Sequence, residues 1–307
     1  MTSQVDQVKT AVRRPKKSRW DSRETMVAFL FLLPSLIGFI AFFLVPAVRG
    51  FWISLTDWDL LTEPEWVGLD NYRKLISDRE FRNSLWVTLK YVLWNIPLQT
   101  ALAVVIAVMM DRLTKSMVVR ALLIVPWLMP NVIVAMLWLW LMDPGLGLIN
   151  SVWEGMGFEG WGFLGNIDQA IPSIAVINIW RHVGYTALLI FAGLQTIPQS
   201  LYEAASIDGA TELRSFWHVT IPLLRPVLAF VLITSLIGSF QIFDTVAVTT
   251  GGGPINATEV INMLIFERAF ERFDMGYATT VANALFVMLV GISLIQLRLF
   301  NADESDY

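Results

Sequence analysis

The sequence predicts an all-α integral membrane protein with six transmembrane helices. Hydrophobic residues make up 55% of its 307 residues and charged residues only 16%, against roughly 45–50% and about 25% in soluble domains. Mean hydropathy is +0.59, which points to the bilayer as solvent. Six apolar segments stand out, at 26–48, 85–110, 121–142, 171–194, 223–243 and 278–300. Each is long enough to cross a hydrocarbon core of about 30 Å as a helix. Regular helix is expected in every span, because lipid offers backbone groups no partners.

Residues 1–25 form a basic arm carrying Lys9, Arg13, Arg14, Lys16, Lys17, Arg19 and Arg23. A cleaved signal peptide has a shorter apolar core and a small-residue cleavage site, so 26–48 reads as an uncleaved first span. The arm is expected to hold the N-terminus in the cytoplasm; it also suits anionic lipid. Further basic residues on the same side are Arg112, Lys115, Arg120, Arg214, Arg225 and Arg298. The loop at 143–170 has no Lys or Arg, which places it outside. Six spans then return the short acidic tail, 301–307, to the cytoplasm. The 13 Trp suit a chain that meets two membrane interfaces.

The loop at 51–84 is too long for a simple turn. Within it, 70–76 and 80–86 read as two short amphipathic helices lying on the membrane or capping a pore. The next outer loop is rich in Gly and Trp. The third opens on Gly251-Gly252-Gly253-Pro254, a turn signal.

Several chemistries are excluded. There is no cysteine, hence no disulfide framework, thiol nucleophile or thiolate metal site. Two histidines, His182 and His218, argue against a metal centre. No Gly-x-x-x-x-Gly-Lys-Ser/Thr loop is present, so the chain is not expected to hydrolyse ATP. A membrane enzyme needs a nucleophile–base pair or clustered carboxylates within the spans, and no Gly-x-Ser-x-Gly occurs. A secondary transporter needs coupling carboxylates there; the spans offer few, and Asp244 is near an end.

The segment 198–222 is polar yet helix-compatible, between two apolar spans. Pro198 suits a helix start, and 199–207 follows as a helix with small alanines. Asp208-Gly209 breaks it, since Gly accepts left-handed backbone. A second helix is expected over 210–218, and Pro222 enters the next span. A loop merely lying on the membrane is the blander reading.

These residues resemble the coupling motif of ABC importer membrane subunits. In that family Glu-Ala-Ala is followed after three residues by Gly, and nine residues later come an apolar residue, any residue, an apolar residue and Pro. Glu203-Ala204-Ala205, Gly209 and Val219-Thr220-Ile221-Pro222 match without a gap. Trp180, the run Ala192-Gly193-Leu194-Gln195-Thr196-Ile197-Pro198, and Gly251 to Pro254 resemble permeases of carbohydrate importers of the maltose and glycerol-phosphate type. The resemblance covers 26–300. It implies the type I importer permease architecture in a bacterial or archaeal plasma membrane. Two cytoplasmic ATPase subunits would bind ATP and Mg, and this chain no cofactor. A second permease, usually a different chain, and an external solute-binding protein complete the complex; no nucleic-acid partner is expected. Glu203, Ala204, Ala205, Asp208, Gly209 and Pro222 would couple to the ATPase.

Polar residues inside spans are costly and often functional. Asn178, Arg181, His182 and Tyr185 step along the fourth span by three or four. Ser235, Ser239, Gln241 and Asp244 mark the fifth, Asn95 and Gln99 the second, Asn131 the third and Asn283 the sixth. By the resemblance, Asn178, Arg181, His182, Tyr185, Ser239 and Gln241 line the solute path, with Asp244 near its end. Amides, hydroxyls and aromatic faces are what a sugar needs. Arg181 with His182 also leaves an anionic solute open. Blander readings stand beside these: Arg181 pairing with Asp244, His182 as a packing residue, and Asn95 repairing a kink at Pro97.

Overall fold

The computed structural model describes residues 22–114 and 116–301. Residues 1–21 of the basic arm, Lys115 and 302–307 of the tail lie outside the described residues, and helix begins at Ser22. Five helices are long and apolar enough to cross a membrane: Met26–Ile53, Arg79–Leu113, Ala170–Leu194, Arg225–Thr249 and Met275–Phe300. The third span in chain order is a broken pair, Met117–Leu128 and Asn131–Leu141, bent by 93°. One small antiparallel ribbon, Thr56–Asp57 with Glu65–Trp66, interrupts the helical architecture.

Residues 1–50 and 51–307 form two units. The first holds most of the first span. Its helix widens into a π turn at Ile40–Leu44, closed by the Val45 N–H donating to the Ile40 carbonyl. Pro46 follows directly; it has no N–H to give the carbonyl four residues back, and its ring crowds that oxygen. A π turn makes room for the ring.

In the second unit, the second and fourth spans share the most extensive interhelical contact. Tyr91, Ile174, Ile177, Phe240 and Tyr277 are buried at its centre. A second cluster, with Ala103, Ala107 and Ala187 wholly buried, lets the same two helices approach closely near Leu194 and Leu224. In lipid such small residues matter because association is driven by packing rather than by the hydrophobic effect.

Two expectations are corrected. The residues 80–86 are no separate surface helix. They are the outer end of the 35-residue helix Arg79–Leu113, which at 1.5 Å per residue runs to about 50 Å and projects beyond the hydrocarbon. Asp78 caps it, accepting from the Glu80 N–H at 2.9 Å, so charged residues enter the helix without breaking it. The residues 70–77 do form their own helix, Asp70–Ser77. The second correction is the third span, whose helix is not regular.

At the end of the bundle carrying the long loops, Arg268 donates to Glu80 at 2.8 Å and Arg272 donates to the same carboxylate at 2.9 Å. The Tyr277 hydroxyl donates to Asp78. Beside them Glu259 is 2% exposed, with one carboxylate oxygen that has no partner among the described residues. Burial, with Glu267 and Glu80 nearby, raises its carboxyl from 4.5 to about 7. A carboxyl raised on folding contributes stability that is full below its ordinary value and is lost as pH rises to the folded one. The thermal midpoint of the purified protein is therefore expected to fall between about pH 5 and pH 7 and then level off. Glu259→Gln should flatten that slope; melting curves across the range read it directly.

Candidate functional site

The polar segment is built as two helices and a hinge. Gln199–Ile207 starts after Pro198 and ends at Asp208. Gly209 takes φ +76°. The Ala210 N–H donates to the Ala205 carbonyl at 2.9 Å, and the Gly209 N–H to Ser206 at 3.1 Å. That pair of bonds is a Schellman stop, whose left-handed position glycine occupies at least cost. Thr211 then caps a second piece, accepting from the Arg214 N–H at 3.3 Å.

The second piece begins at Glu212 rather than at 210 and leads, with a turn at Leu224, into the next span. It runs through Glu212–Ser215, a π turn at Phe216–Thr220 and Ile221–Leu223. The π turn again precedes a proline, Pro222, as at Pro46. Tyr202 and Thr220 pair within the segment at 3.0 Å, an Arg112–Glu212 ion pair ties it to the second span, and just before it Gln195 donates to Asp111 at 2.6 Å. Its other side is open: Glu203, Ala204, Asp208 and Gly209 are exposed, and Ile207, Leu213 and Trp217 are 87%, 69% and 59% exposed. Adjacent apolar side chains left bare in this way mark a contact surface.

The second site is a cavity of about 340 Å³ among the second, third, fourth and fifth spans. Asn178, His182, Tyr185, Ser239, Gln241 and Asp244 all line it, joined by Asn95, Gln99, Asn131 and Ser235. Helical spacing explains the convergence: Tyr91, Asn95 and Gln99 step by four along one face, as do Asn178, His182 and Thr186. Asn95 donates to Ser239 at 3.0 Å and Gln99 to Thr186 at 3.0 Å. Asn95 thus bridges to the fifth span rather than repairing the backbone near Pro97. The Asn95 carbonyl oxygen has no partner among the described residues. Tyr91 and Thr186 escape a reading of the sequence that looks only for strongly polar groups; extending each four-residue stripe by one step reaches both. Asn283 of the sixth span is not on this wall.

Arg181 is the exception. It is not on the cavity wall; its charge interacts with that of Asp244, but its hydrogen bonds among the described residues go elsewhere. Its guanidinium donates to the Trp127 carbonyl at 3.1 Å and to the Met129 carbonyl at 3.0 and 3.2 Å. Asp244 instead accepts from Asn131 at 2.8 Å. Arg181 also lies 2.9 Å from His182 Nε2, while His182 Nδ1 lies 2.9 Å from the Asn178 carbonyl. A guanidinium only donates, so Nε2 is assigned as acceptor and Nδ1 carries the proton. His182 is thus a neutral imidazole held from both sides. Tyr185 stacks on Trp127, with centroids 4.5 Å apart and planes within 8°. The wall therefore presents amides, hydroxyls, aromatic faces and one carboxylate.

Comparison with known proteins shows the family and the fold. The family of binding-protein-dependent transport system inner membrane components matches residues 99–301. The trehalose/maltose transport system permease protein MalF of Thermococcus litoralis is 35% identical, over 92% of this chain and 96% of that protein. The sn-glycerol-3-phosphate transport system permease protein UgpA of Yersinia pseudotuberculosis is 33% identical, over 88% and 92%. A chain of a bacterial ABC transporter that imports the acidic polysaccharide alginate superposes with TM-score 0.79 at 21% identity, over 91% of this chain and 96% of that one.

Proposed function

The chain belongs to the binding-protein-dependent transport system inner membrane components, and from that premise we propose that it is a permease subunit of an ATP-driven importer whose solute is a sugar or sugar derivative. The observation that carries the solute reading is the convergence of polar residues from four spans on one cavity. Hydroxyl-bearing solutes need paired donors and acceptors and an apolar face to stack on, and the wall supplies both. Arg181 is turned toward the third span and His182 is neutral, which favours an uncharged sugar over an anionic one.

In this reading the end bearing Gly209 faces the cytoplasm, as do both termini. Glu203, Ala204, Ala205, Asp208, Gly209 and Pro222 belong to the element that engages an ATPase subunit. Two such subunits would carry ATP and Mg, and this chain no cofactor. A second, different permease chain would complete the path, and a solute-binding protein would deliver cargo from outside.

Gln241 tests the cavity, because it lines it and is exposed. Gln241→Leu is expected to raise the half-saturating sugar concentration in proteoliposome uptake by about tenfold, the scale of one lost polar contact. ATP hydrolysis without solute should not change. Unaltered uptake across a panel of neutral and acidic sugars would remove the cavity from the solute path.

A further inference from the structure

We propose that Arg181 is a positioning residue: it caps the first half of the third span, fixes the break there and so sets the cavity wall, without touching the solute. The break falls between Leu128 and Asn131, where the two half-helices meet at 93°. In an unbroken helix the Trp127 carbonyl would accept from the Asn131 N–H and the Met129 carbonyl from the Ile133 N–H. The bend takes those donors away. Pro130 has no N–H to contribute, and Met129 spends its own on the Pro126 carbonyl at 3.3 Å. The Trp127 and Met129 carbonyls are thus among those left without a helical donor, in a span where an unsatisfied backbone group costs most.

Arg181 supplies both from the neighbouring span. Nη2 reaches Trp127 and Met129, and Nε reaches Met129 again. Its positive charge also sits at the C-terminal, electronegative end of the half-helix Met117–Leu128. Only a planar fork satisfies two carbonyls and still gives Nη1 to His182. The consequence reaches the cavity through three neighbours: His182 is held by Arg181, Tyr185 stacks on Trp127, and Asn131, first residue of the second half-helix, holds Asp244. A basic residue within a span thus serves the backbone of the span beside it.

The test uses the assembled complex with its other chains free of reactive cysteine; this chain has none. Spin labels go on Val118→Cys and Trp140→Cys, exposed positions on the two half-helices. Arg181→Gln is expected to lengthen the distance by roughly 5–10 Å, by the helical rise of the two arms, and to broaden its distribution. The maximal uptake rate should fall by about tenfold or more, with the half-saturating concentration within about twofold, the signature of a lost positioning contact. Arg181→Lys, which keeps the charge but lacks the rigid planar fork, should lie between the two. Adding Pro130→Ala to Arg181→Gln should give one long distance and no recovery of uptake.

An unchanged distance in both single variants overturns the proposal, as does a raised half-saturating concentration with the rate kept, or uptake restored by Pro130→Ala. If the Gln variant does not assemble, the Lys variant reads the same quantities. The distance does not depend on any solute being transported, so it decides even if the sugar reading fails.

Discussion

Glu203→Lys and Gly209→Val are each expected to abolish uptake while the permease stays in the membrane at its normal level. Both positions are exposed. Glu203 is exposed, so reversing its charge removes nothing the fold uses. Gly209 sits at φ +76°, and a Cβ added there would have nothing within 4 Å. Valine therefore meets no neighbour; its penalty is conformational, about 1–2 kcal/mol or more for a β-branched residue forced into left-handed backbone. That strain acts on the stop between Gln199–Ile207 and Glu212, and re-aims the two helices relative to each other. A partner that grips both then loses its fit. Uptake in proteoliposomes should fall below a tenth of normal, roughly the effect of 1.4 kcal/mol or more. ATP hydrolysis by the partner subunits should persist but no longer respond to solute. Normal uptake by both variants would sink the coupling role.

Gly184→Ala is expected to damage assembly rather than coupling. A Cβ on Gly184 would lie 1.8 Å from the Leu123 carbonyl oxygen and 2.6 Å from its carbon. The obstacle is backbone, so no rotamer change relieves it. The third and fourth spans must separate, which also pulls Arg181 from its carbonyls and Trp127 from Tyr185. Overpacking of this kind costs roughly 1–3 kcal/mol and sometimes more. The thermal midpoint of the purified complex should drop by several degrees or the complex should fail to form, on the usual scale of a few degrees per kcal/mol. Gly291→Ala is the control: nothing lies within 4 Å of its Cβ, and it should leave the midpoint unchanged. A Gly184→Ala complex as stable as the control would contradict the close approach.

The six spans were legible because apolar length is a property of the segment itself. The hinge of the polar segment was legible for a similar reason: Asp208-Gly209 is a local signal, and the Schellman stop at Gly209 needs only its immediate neighbours. The cavity was largely legible because helical spacing carries Asn178 and His182 to one face, and Asn95 and Gln99 to another. Arg181 was the exception. Its spacing suited the cavity, but two free carbonyls about fifty residues earlier claim it. Pro126 and Pro130 flank the break in the third span, but whether a proline kinks or breaks a helix depends on a donor elsewhere in the bundle. The outer end of the second span was hidden because hydropathy marks where a helix leaves lipid, not where it ends.

We propose the exposed face of the segment from Pro198 to Pro222 as the seat of an ATPase subunit. A photo-crosslinking residue at Ile207, 87% exposed, tests it most directly in membranes containing the whole complex. One crosslinked product is expected, this chain joined to an ATPase subunit, with a yield that changes when ATP is added. Crosslinks to lipid alone, or to the other permease with no nucleotide dependence, would contradict it.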